Sequence, residues 1–200
     1  EKPDSSPSDS NRDKDDENRK IVFYAGSLKI AYGIEHLLKA FQLIKDNNCY
    51  LYIAGSGDGE ELVKKYSEKD NRVKFLGFLS PDDVLRYQQS ATVLISPRQS
   101  DEEFVKYSFP SKTFECLASG KPYIAHKLPC EPPEYSNYIQ YPEDESDNAL
   151  SEKIVQICEM SSQERDAIAM RAYEFITCEK NTKIMCSKII HLLDSSFEVC

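Results

Sequence analysis

A chain of 200 residues, 40% of them hydrophobic, can bury a core without disulfide or metal staples. Its net charge of −9, with lysines dispersed among more numerous acids, excludes a protein that lives by phosphate-backbone contacts, so nucleic acid is not an expected partner. Seven cysteines, odd in number, several of them inside apolar runs and without a Cys-x-x-Cys pair, suit reduced core thiols better than a secreted disulfide frame and point away from zinc, so no metal is expected.

Residues 1–20 carry no apolar side chain larger than proline and are expected to form a disordered linker or tail ahead of one domain over 21–200. The strand–helix alternation then begins. Ile21–Ala25 reads as a buried strand, and Ile34, Leu37, Leu38, Phe41 and Ile44 mark an amphipathic helix. Cys49–Ala54 returns as a strand, Glu60–Lys69 as a helix and Val73–Leu76 as a short strand. Ser80-Pro81-Asp82-Asp83 supplies an N-cap, a proline at the first helical position and acids in the first turn of a third helix, and Ala91–Ser96 is a fourth strand.

The segment Tyr107–Ala125 is the densest in chemistry. Ser111 and Thr113 follow Pro110 where the helix-period residues Phe114, Leu117 and Ala118 begin, so free N–H groups and the positive dipole end gather around Ser111 to Thr113. Lys112 adds a full charge there. One turn in, the Glu115 carboxylate is placed to accept both hydroxyls of a ribose whose phosphates lie on those N–H groups. Gly120 ends the helix, and Pro122–Ala125 is a fifth strand.

Three prolines make residues 127–138 a loop, with Tyr138–Tyr141 expected as a short edge strand and Ala149–Glu159 as a helix. Ser161 and Glu164 form a capping box before a helix with face Ile168, Ala172, Phe175 and Ile176, and a last helix spans about Thr182–Asp194. The fold class is therefore α/β, a doubly wound, Rossmann-like parallel sheet covered on both faces. Ligands in such folds bind outside the carboxyl ends of the strands, where strand order reverses. The loops to watch are Gly26-Ser27, Gly55–Glu61, Gly77–Ser80 and the long Pro97–Pro110, which carries Arg98, Glu102, Glu103 and Lys106. Gly55–Glu61 fails as a dinucleotide fingerprint because it follows the second strand and places Glu60 where a glycine belongs. His126 ends the fifth strand and is expected to face the crevice, whereas His36 and His191 read as structural or surface residues.

The run from Phe109 through Glu115, Ala118 and Gly120 to Pro122 resembles the donor-site signature of retaining family-4 glycosyltransferases of the GT-B fold, a Glu-x7-Glu element leading into Ala-x-Gly-x-Pro. Tyr107 stands where the first glutamate belongs and Pro110 where a glycine usually follows the loop Phe. This FPSK-x-x-E form is similar to a branch associated with bacterial surface-polysaccharide synthesis.

The resemblance implies the C-terminal, donor-binding half of a GT-B enzyme, with a nucleotide-diphosphate sugar as substrate and no cofactor. Its partners would be a missing N-terminal GT-B domain of the same chain and a carbohydrate or lipid-linked acceptor. It carries donor binding onto Gly26, Ser27, Leu79, Phe109, Ser111, Lys112, Thr113 and Glu115, and makes Tyr107 the candidate at the first glutamate's place. Ser27 and Tyr32 occupy the positions of an Arg and a Lys that commonly hold the diphosphate; Glu102 or Glu103 is a candidate substitute for the lost sugar contact, although a solvated charge run is the expectation there. A GT-B sugar-nucleotide epimerase and a non-catalytic sugar-nucleotide-binding module are the alternatives. With no signal peptide or long apolar span in view, the expected location is cytoplasmic, with the inner membrane face the alternative for a longer protein.

Overall fold

The structure is a computed structural model that describes residues 19–100 and 103–197. Of the expected linker, residues 1–18 lie outside the described residues, as does Glu102. Lys20 is the first residue of β1 (Lys20–Ser27), where its ammonium pairs with Asp46 at 2.8 Å and its N–H reaches the Asn48 carbonyl.

A 3-10 turn, Ile30–Tyr32, leads into α1 (Ile34–Gln42). There follow β2 (Cys49–Ser56), α2 (Glu60–Lys69), β3 (Val73–Phe75), α3 (Pro81–Ser90) and β4 (Val93–Ser96). Beyond a 3-10 turn at Glu103–Lys106 come α4 (Lys112–Leu117) and β5 (Tyr123–Ala125), then α5 (Asp147–Glu159), α6 (Ser162–Glu174) and α7 (Thr182–Phe197). The caps read from sequence form: Ser80 Oγ accepts the Asp83 N–H, and Ser161 and Glu164 complete a reciprocal box.

All five strands pair in parallel, in the order β3-β2-β1-β4-β5. The chain builds one side of the sheet outward from β1 and then returns to its other side, so strand order reverses between β1 and β4. Alternate strand residues feed two cores. Val22, Tyr24, Leu51 and Ile53 join α1 and α5 through Leu37, Phe41, Leu150 and Ile154. Phe23, Ala25, Leu94 and Tyr123 face α4 and α6 through Leu117 and Ala172. Burial on both faces is why the strands read as unbroken apolar runs.

One expected strand is absent. Within 138–141, the described backbone makes a single bridge, Ile124 to Gln140. Side chains take over there: Tyr138 stacks on Phe175 with ring centroids 4.1 Å apart, and the Tyr141 hydroxyl bonds Glu131. Phe175 begins a wide π turn, Phe175–Glu179, that continues α6 and brings its ring within 5.2 Å of the Tyr135 ring.

Candidate functional site

Two cavities open at the carboxyl ends of β1 and β4, at the reversal of strand order. The larger, about 820 Å³, runs from Gly55 and Ser56 past Phe78, Leu79, Val84 and Leu85 to Glu115 and Ser119. The smaller, about 290 Å³, is bounded by Tyr24, Tyr32, Ser96 and Arg98 and by Ser108–Lys112. Ala25, Gly26, Ser27, Gln88 and Lys112 line both, so the two are parts of one crevice.

Its floor is backbone, held close. Gly26 pairs with Gly55 in the β1–β2 register, and Gly55 adopts φ +137°, where a Cβ would come 1.8 Å from the Gly26 carbonyl oxygen. Only glycine fits that approach. The buried Tyr24 hydroxyl donates to the Ser27 carbonyl at 2.7 Å. Burial pushes that phenol's pKa up, so it stays a neutral donor. The glycine-rich loop braces this end of β1 from behind, since Gly59 N–H donates to the Leu28 carbonyl and Asp58 accepts the Ile30 N–H.

Arg98 owes its place to Gly33. At φ +82°, a Cβ on Gly33 would stand 2.1 Å from the Pro97 carbonyl oxygen, so the chain leaving β4 passes directly over it. That route sets the Arg98 guanidinium over the Tyr32 ring at 4.3 Å and near Phe104 at 5.3 Å. Tyr32 is thus a platform for a cation contributed by another loop. Lys106 and Glu103 are exposed and line neither cavity. Tyr107, 82% exposed, lines neither as well.

The helix start differs from the expectation. α4 has six residues, and its first turn closes in 3-10 fashion: Thr113 N–H bonds the Pro110 carbonyl, and Phe114 N–H the Ser111 carbonyl. Of the N–H groups expected to be free, those of Ser111 and Lys112 lack a partner among the described residues. Thr113 is turned inward, 2% exposed, with its hydroxyl 3.4 Å from the Tyr123 hydroxyl. It packs as a core residue because the aromatic cluster of Phe109, Phe114 and Tyr135 fixes the roll of this short helix. Lys112 sits between the cavities, 3.9 Å from the Glu115 carboxylate in the larger one. Phe109 and Ser111 wall the smaller cavity, and Leu79 the larger. Cys116 closes part of the floor; burial pushes its thiol up to about 12, which leaves it inert.

His126 is not at the crevice. It is 2% exposed, and its Nε2 lies 3.0 Å from Nε2 of His36, whose Nδ1 is 2.6 Å from Asp147. The chain direction at the end of β5 turns it toward α1, where the other histidine already stands. Sequence reasoning also missed Gln88. A signal existed, because Gln88 shares an α3 face with the half-buried Val84 and Tyr87 and is the polar member of it.

The model of the glycosyl transferases group 1 family matches residues 6–175. The chain belongs to that family. Among curated proteins, it is 30% identical over 119 residues to the uncharacterized glycosyltransferase MJ1607 of Methanocaldococcus jannaschii, a match covering 58% of this chain and 28% of that one. It is 36% identical over 73 residues to the uncharacterized glycosyltransferase YqgM of Bacillus subtilis, covering 34% and 20%. Solved structures share the fold. Anabaena Alr3699/HepE in complex with UDP superposes with a TM-score of 0.72 at 19% identity, over 90% of this chain and 50% of that one. A glycosyltransferase from Rickettsia africae gives 0.73 at 17%, over 92% and 49%.

This group 1 glycosyltransferase chain therefore has the α/β architecture of the GT-B enzymes. It spans between a fifth and a half of the lengths of these relatives. No helix among its described residues is long and apolar enough to cross a membrane.

Proposed function

We propose that this chain is the donor-binding half of a retaining glycosyltransferase, which moves a sugar from a nucleotide diphosphate to an acceptor hydroxyl in polysaccharide or glycolipid synthesis. One observation carries the reading. In a chain of net charge −9, the described residues lining the smaller cavity include Arg98 and Lys112 and no carboxylate, so the local field they set opposes the global one where an anionic group would sit. The acidic Glu115 lies to the other side, in the larger and more apolar cavity.

The nucleoside would fill the larger cavity, its base against Phe78 and Leu79 and its ribose hydroxyls on Glu115. The diphosphate would cross the junction at Gly26, Ser27 and Lys112, and the sugar would lie toward Arg98, Phe109 and Ser111. As the glycosidic bond breaks, negative charge grows on the leaving diphosphate. Lys112, Arg98 and the N–H groups of Ser111 and Lys112, all at the smaller cavity, would stabilise it. UDP, which the Anabaena neighbour holds, is the first nucleotide to try. The acceptor and an N-terminal GT-B domain would complete the enzyme, and this half alone would bind donor without transferring sugar.

Calorimetry with UDP, GDP, ADP and dTDP tests the reading. Glu115→Gln is expected to weaken the best of them by about 1.5–3 kcal/mol, the scale of a hydrogen bond to a charged group, while leaving its 2′,3′-dideoxy analogue unaffected. Equal losses with both ligands would remove Glu115 from the ribose. Lys112→Ala and Arg98→Ala are each expected to cost the diphosphate far more affinity than the nucleoside, with the difference shrinking as salt rises. Lys106→Ala, outside the cavities, should match wild type. If Lys106→Ala alone abolished the diphosphate preference, the anion site would lie elsewhere.

A further inference from the structure

The inward face of α3 contains a polar side chain that bonds no other described residue. Gln88 is 5% exposed, and its backbone carbonyl accepts the Ala91 N–H where the helix ends. Its side-chain amide has no hydrogen-bond partner among the described residues. No described side-chain nitrogen or oxygen sealed from solvent is left unpaired, so the little of Gln88 that remains open includes the amide head. Gln88 lines both cavities, so its side chain stands at the junction between them.

A primary amide offers two donors and two acceptor sites, and at the mouth of the cavities only water or a ligand can meet them. Packing alone would be better served by leucine or methionine. Position narrows what the amide meets. Lys112 lies at the same junction, the apolar residues Phe78, Leu79 and Leu85 are on one side, and Arg98 is on the other. A nucleotide sugar extended through both cavities would carry its phosphates across Gln88.

We infer that Gln88 is a further donor-binding residue, its Nε2–H groups donating to a diphosphate oxygen as the ligand crosses from the larger cavity to the smaller. The inference rests on the donor reading above and adds a neutral hydrogen-bond donor from α3 to the cations of the two loops. Because the amide has no protein partner to lose, replacing it removes a ligand contact and leaves the fold intact.

The test uses the chain with whichever of UDP, GDP, ADP and dTDP binds best, the matching nucleoside, and thermal melts without ligand. Gln88→Leu is expected to bind the diphosphate about tenfold more weakly, to change the nucleoside less than twofold, and to melt no lower than wild type. Gln88→Glu, which sets a carboxylate against the phosphates, is expected to lose on the order of a hundredfold, with the loss shrinking at high salt. Gln88→Met serves if the leucine variant does not fold. The inference fails if Gln88→Leu binds the diphosphate as wild type does, if nucleoside and diphosphate lose equally, or if the melt drops while affinity holds. Should Lys112→Ala respond and Gln88→Leu not, Gln88 alone is misassigned. Should wild type bind none of the nucleotides, the donor reading falls and takes this inference with it.

Discussion

Gly55→Ala is expected to destabilise the domain by about 4 kcal/mol and to lower its Tm by roughly 10 °C. Two terms add. At φ +137° an alanine is held in a region that costs about 1–3 kcal/mol. Its Cβ would also start 1.8 Å from the Gly26 carbonyl oxygen, so β1 and β2 must part at a half-buried pair that borders the core, at a further cost of about 1–3 kcal/mol. Gly120→Ala separates these terms: φ there is +72°, but nothing lies within 4 Å of the added carbon, so only the conformational cost of about 1–2 kcal/mol remains. Because Gly26 lines both cavities, Gly55→Ala should also weaken nucleotide binding, whereas Gly120→Ala should not. Thermal melts in which the two variants behave alike would show that the Gly26 contact is slack.

Acidification is expected to cost stability through His126, by about 3 kcal/mol between pH 7.5 and pH 4. Burial, and then the neighbouring His36, push its pKa from the ordinary 6.5 down to about 4, against the pull of the Glu145 and Asp144 carboxylates. The sign follows. Above pH 7.5 the imidazole is neutral both folded and unfolded, so it contributes no pH dependence. As pH falls through 6.5 the unfolded chain takes up a proton that the folded chain refuses, stability drops, and the loss levels off below about 4. Asp46 and Asp70, held low chiefly by the hydrogen bonds from Lys20 and Arg72, lose their contributions only at lower pH. Urea unfolding of wild type and His126→Gln should therefore diverge in slope between pH 6.5 and 4. Parallel curves would show that His126 titrates normally.

Much of the fold is legible in the chain because a parallel sheet covered on both faces demands apolar runs, and helices on its faces demand a 3.6-residue period. The five strands appear where those runs stand, and the Ser80 and Ser161 caps form where a hydroxyl precedes acids. Legibility ends where periodicity does. Tyr138–Tyr141 has strand-like composition, yet its rings find Phe175 and Glu131, and side-chain contacts outweigh a ladder at the sheet edge.

At the site, the register of Phe109, Glu115, Gly120 and Pro122 is a property of the sequence, and so are a short helix there and the charge of Lys112. Their surroundings are not. Thr113 is two residues from Glu115, yet one side chain enters the core and the other the cavity, because the roll of a six-residue helix is set by the aromatic rings packed on it. Arg98 and Tyr32 are far apart along the chain and meet because Pro97 crosses Gly33 at a distance no side chain would permit. The order of apolar and polar residues along the chain determined a doubly wound α/β domain and the strand ends at which to look, since burial acts on local patterns. Only the tertiary structure decided that Arg98, Lys112 and Gln88 share one crevice and that His126 leaves it for His36, since those distances depend on how loops from separate strands pass over one another.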